Sequence, residues 1–370
     1  MENKGSERPT MRIFVIMLTA ALSAECYTSP NGNAARSRVA ARIDQAVTSK
    51  PRLLQAYTEL SQQGMLHSFG SVQQPPVASP VDDLSAITLL PSEAFAPSSV
   101  RRGRTSASQL YAVIVSAAAQ MMIAQEIVKG RLSFSTLRAL EWWQLPAIFL
   151  AGTGIVTVGV LFADRFALGG RLLACVQTAL PGKRRAIVRH EAGHFLLSIL
   201  LGVPVQSCKL NSLVALLDPA FEGQAGTVFH APAIDALRRG DRPTDAEIDA
   251  CAVILMGGIA AEAIAWGSAE GGAADERQLR LLLEPSLSGA EARRGSGDGL
   301  GQREALAERL PADAVVRSKA RYAVANAVLL LREHEAALAA LCEALSRGDT
   351  IGECVEAIER SMPPPAAATR

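Results

Sequence analysis

Apolar residues at positions 187, 188, 195, 196, 199 and 200 recur at helical spacing inside a stretch that runs from Lys183 to Gly202. That spacing builds one apolar face, and glycine is a common stop after such a run. A helix from Lys183 to the glycine is predicted. Farther on, Ile254 to Gly267 consists mostly of Ile, Ala and Gly and reads as a buried helix. A third helical pattern runs from Arg321 to Glu335. Residues 285–302, with Gly-Ser-Gly-Asp-Gly-Leu-Gly, read as a flexible loop before the final helices. The Pro-Pro-Pro-Ala-Ala-Ala stretch that opens the tail over 363–370 reads as disordered. The expected fold is mainly α.

The N-terminal half carries apolar stretches of another kind. No charge occurs from Leu145 to Ala163, which at about 1.5 Å per residue just covers a hydrocarbon core of about 30 Å. Trp142 and Trp143 stand at its entrance, as an aromatic belt would. Arg165, Arg171, Lys183, Arg184, Arg185 and Arg189 follow it, which favours that side as the stromal or cytoplasmic one. A membrane span over 145–163 is one reading. A buried helix packed on the next domain is the other, since Pro146 and Gly152, Gly154 and Gly159 weaken an isolated helix. The shorter run Tyr111–Ala124 reads as a packing helix.

Residues 1–110 do not read as a fold. Met11-Arg12 followed by the apolar run Ile13–Ala24 has the layout of a signal peptide. The stretch after Glu93 is rich in Ser and Arg and lacks acid up to Ala112, as transit peptides do. Its Ala94-Phe95-Ala96-Pro97 string resembles the phenylalanine motif of bipartite plastid signals in algae with secondary plastids. A plastid location is expected, membrane-associated, with the secretory or endomembrane system as the alternative and a plain disordered linker as the bland reading. The chain then divides into 1–110 (targeting or disordered), 111–170 (hydrophobic helices), 171–362 (a folded domain with a helical tail) and 363–370.

Lys+Arg 37 against Asp+Glu 36 leaves a net charge of +1, so no electrostatic footprint for nucleic acid exists. The 6 cysteines are scattered without a C-x-x-C pair and read as single thiols rather than a disulfide framework.

Chemistry concentrates in His190-Glu191-Ala192-Gly193-His194, which holds two of the chain's 5 histidines. Four residues along a helix advance about 6 Å and return nearly to the same face. Both imidazoles can therefore reach one ion that binds nitrogen at about 2.0–2.1 Å, as Zn²⁺ does. Glu191 lies beside them, where a carboxylate can act as general base. Catalytic zinc usually has three protein ligands. No third histidine follows closely, so a carboxylate is expected; Glu262, Asp275 and Glu276 all compete. Of the remaining histidines, His334 reads as a solvated helix residue and His67 carries no pattern. His230, after a short Val-Phe stretch, is a weak candidate for touching substrate.

The HEAGH helix, the small-residue helix ending at Gly267 and the following Gly271-x-x-x-Asp275 turn resemble the peptidase domain of FtsH-type zinc metalloproteases. The likeness covers roughly residues 183–282. It implies that Asp275, which opens the next helix, is the third zinc ligand, with Gly271 and Gln278 also fitting the family pattern. It further implies that Gln224–Phe229 is the short strand passing the active-site cleft, within a small β element near 207–230. The family carries an ATPase module. This sequence shows no G-x-x-x-x-G-K-[ST] loop; its one Gly-Lys pair, Gly182-Lys183, lacks the second glycine and is followed by arginine. The chain thus looks like the ATPase-less FtsH-like branch of plants and algae.

The expected function is that of a zinc metalloendopeptidase cutting protein or peptide substrates, with His190, His194 and Asp275 on the metal and Glu191 as base. The resemblance implies that it pairs with itself or with an ATPase-bearing homologue. The competing expectations are a membrane-associated scaffold that keeps the peptidase fold without catalysis, and a metal hydrolase acting on something other than peptides.

Overall fold

The structure is a computed structural model that describes residues 38–96, 181–210, 226–292 and 303–362, together with isolated helical positions between 152 and 166. The expected signal segment 11–24, the run 111–124, most of 145–163 and the tail 363–370 lie outside the described residues.

Among the described residues the architecture is mainly α-helical, with one two-stranded sheet. In chain order the helices are α1 (Arg38–Ala46), α2 (Lys50–Gln62), α3 (Leu84–Thr88) with a 3-10 turn at Ser92–Phe95, α4 (Pro181–Leu200), α5 (Pro232–Arg239), α6 (Asp245–Leu255), α7 (Gly257–Trp266), α8 (Ala273–Ala292), α9 (Arg303–Glu333), α10 (Glu335–Arg347) and α11 (Ile351–Ser361). Between α4 and α5 stand β1 (Val205–Lys209) and β2 (Gly226–Phe229). They pair antiparallel with Cys208 opposite Thr227.

Helix α4 is the centre of the core. Proline occupies its first position, where the missing N–H costs nothing. It closes at Gly202, whose φ of 73° is left-handed, a conformation that favours glycine. Phe195, Leu196, Leu197, Ile199 and Leu200 are fully buried along it. Against α4 lie α7, α10, α6, α9 and the hairpin. The approach of α7 is close because both helices present glycine: a Cβ on Gly193 would fall on the Gly257 carbonyl oxygen and on Ala261.

The buried helix expected over Ile254–Gly267 is two helices that meet at Met256, the C-cap of α6 and N-cap of α7. Its true start lies earlier, at a Thr244/Glu247 capping box in which each side chain accepts from or bonds to the other's backbone end. The stretch Asp245–Trp266 is long and apolar enough to cross a membrane by composition, yet 78% of its most apolar window is buried inside the domain. Core packing accounts for that composition.

The loop expected over 285–302 is shorter. Helix α8 continues through Pro285 to Ala292, and α9 already begins at Arg303. The Ala-, Leu-, Glu- and Arg-rich residues 303–320 have high helical propensity, so the helix predicted at Arg321–Glu335 extends backwards.

The largest correction concerns residues 38–96, which fall inside the stretch 1–110 expected to be targeting sequence or disordered. They are part of the core. Ala40, Ile43, Leu53, Tyr57 and Leu60 from α1 and α2 are buried, and α1 packs on α11 at the close contact of Gly352 with the Ala40 backbone. The connecting stretch is tied down by side chains rather than by regular structure. His67 and Ser68 donate their N–H groups to the Glu359 carboxylate at 2.9 Å each. Val77 donates its N–H to Asn326 Oδ1 at 2.7 Å, and Asn326 Nδ2 donates back to the Val77 carbonyl at 3.2 Å. Gly70 and Val72 donate to the carbonyls of Ile199 and Leu200 at 3.0 Å, supplying partners to the buried C-terminal end of α4. Ala94 and Phe95, which also belong to the plastid-signal-like string, are buried against α7.

Candidate metal centre

Three elements bring the chemistry together. Helix α4 supplies His190, Glu191 and His194; the first turn of α8 supplies Asp275; and β2 supplies Thr227. Asp275 Oδ2 lies 3.1 Å from His190 Nε2 and 3.5 Å from His194 Nε2. Ligands at about 2.05 Å on a tetrahedral ion stand about 3.3 Å apart, so these separations suit a shared metal. Among the described residues, His190, His194 and Asp275 form the group whose ligand atoms converge in this way, all within 4.8 Å of one another. The donor set, two imidazole nitrogens and a carboxylate, fits zinc chemistry.

The ring nitrogens that face away from the centre are each engaged. His190 Nδ1 lies 2.7 Å from Glu262 Oε1, and His194 Nδ1 lies 2.8 Å from the Ile254 carbonyl oxygen. A carboxylate or carbonyl on Nδ1 fixes the tautomer that leaves Nε2 as the ligand atom. Glu262 is therefore placed behind His190 rather than beside Asp275. Its second oxygen accepts from the N–H groups of Glu270 at 2.6 Å and Gly271 at 3.3 Å. One buried carboxylate thus ties the ligand on α4 to the turn that leads into Asp275. Glu276 is solvent-exposed on α8 and outside the cluster, as is Gln278. Substituting Glu262→Gln should leave the fold intact and weaken metal affinity by about 10- to 100-fold, the range for partners of ligating histidines. Equilibrium competition with a chromophoric chelator measures it.

Glycines make room for the rings. A Cβ on Gly258 would fall on the His190 imidazole, and one on Gly271 would crowd both Glu262 and that ring. Gly272 (φ 106°) would meet Ile259 in the same way. The small residues in this turn are thus explained by the space that His190, Glu262 and Ile259 occupy.

Glu191 is 5% exposed and accepts a hydrogen bond from Thr227 Oγ1 at 2.8 Å. The same hydroxyl is 3.4 Å from Cys208 Sγ across the hairpin. Burial pushes the Cys208 thiol well up, with the Glu191 charge acting the same way.

In the metal-free protein burial pulls the pKa of His190 down, but hydrogen bonds to Asp275 and then Glu262 outweigh it and hold the pKa well above 6.5. Burial likewise opposes the rise at His194, where the Asp275 charge prevails. Asp275 is held far below the usual carboxylate range: burial would raise it, and the two histidines overcome that. Glu262 is lowered too, against burial, by His190. The raised histidines stabilise the metal-free fold below pH 6.5, and that contribution is lost as pH rises through their folded values. The lowered carboxylates stabilise it above their ordinary range and lose that effect in acid. A metal must displace the histidine protons, so its affinity should climb with pH by about tenfold per unit for each proton released. Over the same interval the melting temperature of the metal-free protein should fall. Titrations of metal binding and melting at stepped pH check both directions.

His67 is exposed, His334 sits at the junction of α9 and α10, and His230 donates its N–H to the Pro204 carbonyl at 3.0 Å. None of the three joins the centre. The roles of Thr227 and the Ile254 carbonyl were not legible in the sequence: one depends on hairpin register, the other on a backbone atom. Glu262 was legible as a buried carboxylate in need of a partner, but not as the partner of His190. No protein-family model and no curated protein matches this chain.

Proposed function

We propose that this chain is a zinc-dependent metalloendopeptidase of the FtsH-like type, acting without an ATP-binding loop of its own. The observation that carries the reading is the convergence of both histidine Nε2 atoms and Asp275 Oδ2, with Glu191 buried beside them. A bound Zn²⁺ would supply Lewis-acid polarisation of a carbonyl and a water acidified toward pKa ~7. The chain's own residues do the rest. Glu262 and the Ile254 carbonyl hold the two imidazoles with Nε2 turned inward. Thr227 holds one oxygen of Glu191, leaving the carboxylate oriented to take a proton from the attacking water and pass it to the leaving amine. Strand β2 borders the centre, which suits an extended peptide substrate over a compact small molecule.

The test uses the full chain, assayed for zinc content and for cleavage of casein before and after chelation. Stoichiometric zinc with cleavage lost on chelation and restored by zinc is the expected result. Zinc without cleavage would favour the scaffold. No zinc at any pH would remove the metal centre itself.

A further inference from the structure

Asp275 reaches the two histidines through a turn that is held from outside itself. Residues 267–272 join the end of α7 to the start of α8 and begin and end on left-handed glycines, Gly267 (φ 71°) and Gly272 (φ 106°). Three successive N–H groups within it donate to acceptors elsewhere. Glu270 and Gly271 donate to Glu262 at 2.6 and 3.3 Å, and Ala269 donates to the Ala94 carbonyl at 2.8 Å. N–H groups removed from water need such partners, so the position of the acceptors sets the position of the turn. Beyond it the Glu276 N–H donates to the Gly272 carbonyl at 2.9 Å and starts the helical turn that carries Asp275.

One acceptor, Glu262, stands on α7 and also holds His190. The other comes from the N-terminal part of the domain. Ser92–Phe95 form a 3-10 turn that packs on α7, with Ala94 and Phe95 buried in that contact. Ala269, the residue that meets the Ala94 carbonyl, is fully buried. A third tie, the ion pair of Glu270 with Lys183 on α4, is partly solvated, and such pairs contribute little. The turn thus rests on Glu262 from one side and on Ala94 from the other. A ligand that must be ordered as its ion binds weakens that binding by the entropy of ordering.

We propose that the Ser92–Phe95 turn is a positioning element of the metal centre, acting through Ala269 to hold Asp275 against His190 and His194. The proposal rests on the reading that these three side chains bind a metal. It gives the N-terminal part of the domain a role at the site, separate from the burial of Ile43, Tyr57 and Leu60 in the core.

The Zn²⁺ affinity of the full chain, measured by competition with a chromophoric chelator, tests it. Phe95→Ala should weaken binding by about 10-fold, the lower end of the range for groups that steady a metal ligand. Phe95→Leu should recover most of that loss. Leu60→Ala, which truncates the core in α2, should change the affinity by less than about twofold, as distant sites act independently. In an Asp275→Ala chain, Phe95→Ala should add less than about twofold, because groups that act through one another are not additive. Replacing Ala269 by its α-hydroxy acid removes the one N–H and keeps the side chain, so it should weaken binding even if Phe95→Ala does not fold. In the metal-free protein, hydrogen exchange of residues 268–275 should quicken in Phe95→Ala while that of α4 stays as in the wild type. Wild-type affinity in the α-hydroxy acid chain, or unchanged exchange in Phe95→Ala, would overturn the proposal. So would a loss of equal size with and without Asp275, or one matched by Leu60→Ala, since both mark general destabilisation. A wild-type chain that binds no Zn²⁺ would overturn the metal reading itself and the proposal with it.

Discussion

Glu191→Gln should retain its zinc and lose casein cleavage by about 10²- to 10⁴-fold, the usual contribution of a positioned general base. The substitution is nearly isosteric and leaves a carbonyl oxygen to accept from Thr227 Oγ1, so the hairpin contact at 2.8 Å survives. What is lost is the capacity to take a proton. His190, His194 and Asp275 are untouched, and their Nδ1 partners on Glu262 and Ile254 are unaffected. Zinc content measured on the same sample as the rate therefore separates base from metal. A variant that cuts casein at the wild-type rate would remove Glu191 from the mechanism. One that loses zinc as well would show that the carboxylate supports the centre rather than the reaction. Thr227→Val is the milder companion: it frees the carboxylate without neutralising it, so kcat should drop by less than in Glu191→Gln while zinc stays bound, and Thr227→Ser should restore it.

A fragment that begins near Ala174 should fail to fold, even though it contains His190, Glu191, His194 and Asp275. Such a fragment lacks Ile43, Leu53, Tyr57, Leu60, Leu66 and Phe95, each buried in the shared core. Burying one large apolar side chain is worth about 1.5–3 kcal/mol, and whole domains are stable by only about 5–15 kcal/mol. The loss of six such groups is therefore comparable to the entire margin. The polar cost adds to this, since the Leu200 carbonyl and the Glu359 carboxylate lose the donors that residues 67–72 supply, and the Ile199 carbonyl loses one of its two. Far-ultraviolet circular dichroism and urea unfolding of fragments 38–362 and 174–362 decide it. Leu60→Ala in the intact chain is the graded version and should lower stability by about 2–5 kcal/mol. Cooperative unfolding of the shorter fragment, with full zinc, would show that residues 38–96 are dispensable.

Much of the candidate metal site could be read before any fold was known. Two histidines four apart on a helix must share a face, and a glutamate between them must lie nearby, because helical geometry is local. The helix itself was equally plain from Lys183 to Gly202, and the structure starts it two residues earlier, at Pro181. Asp275 was reached through a family likeness, since no local rule links residues 81 positions apart in sequence. The competition among Glu262, Asp275 and Glu276 needed three-dimensional placement: the first lies behind His190, the second faces both rings, the third points to solvent.

The N-terminal helices show the opposite case. Leu53, Tyr57 and Leu60 do recur at helical spacing, but α1 and α2 are short, and the stretch after them is rich in proline and serine. Composition there is that of a linker, because its backbone partners are Asn326, Glu359 and the end of α4, all far away in the sequence. Sequence alone determined the histidine pair, the glutamate beside it and the helical class, all of which follow from periodicity within a few turns. Only the tertiary structure decided which carboxylate faces both histidines, which one lies behind His190, and that residues 38–96 belong to the domain. Those depend on contacts between distant segments, and in this chain they rest on glycines small enough to let helices touch and on side chains that stand in for missing backbone partners.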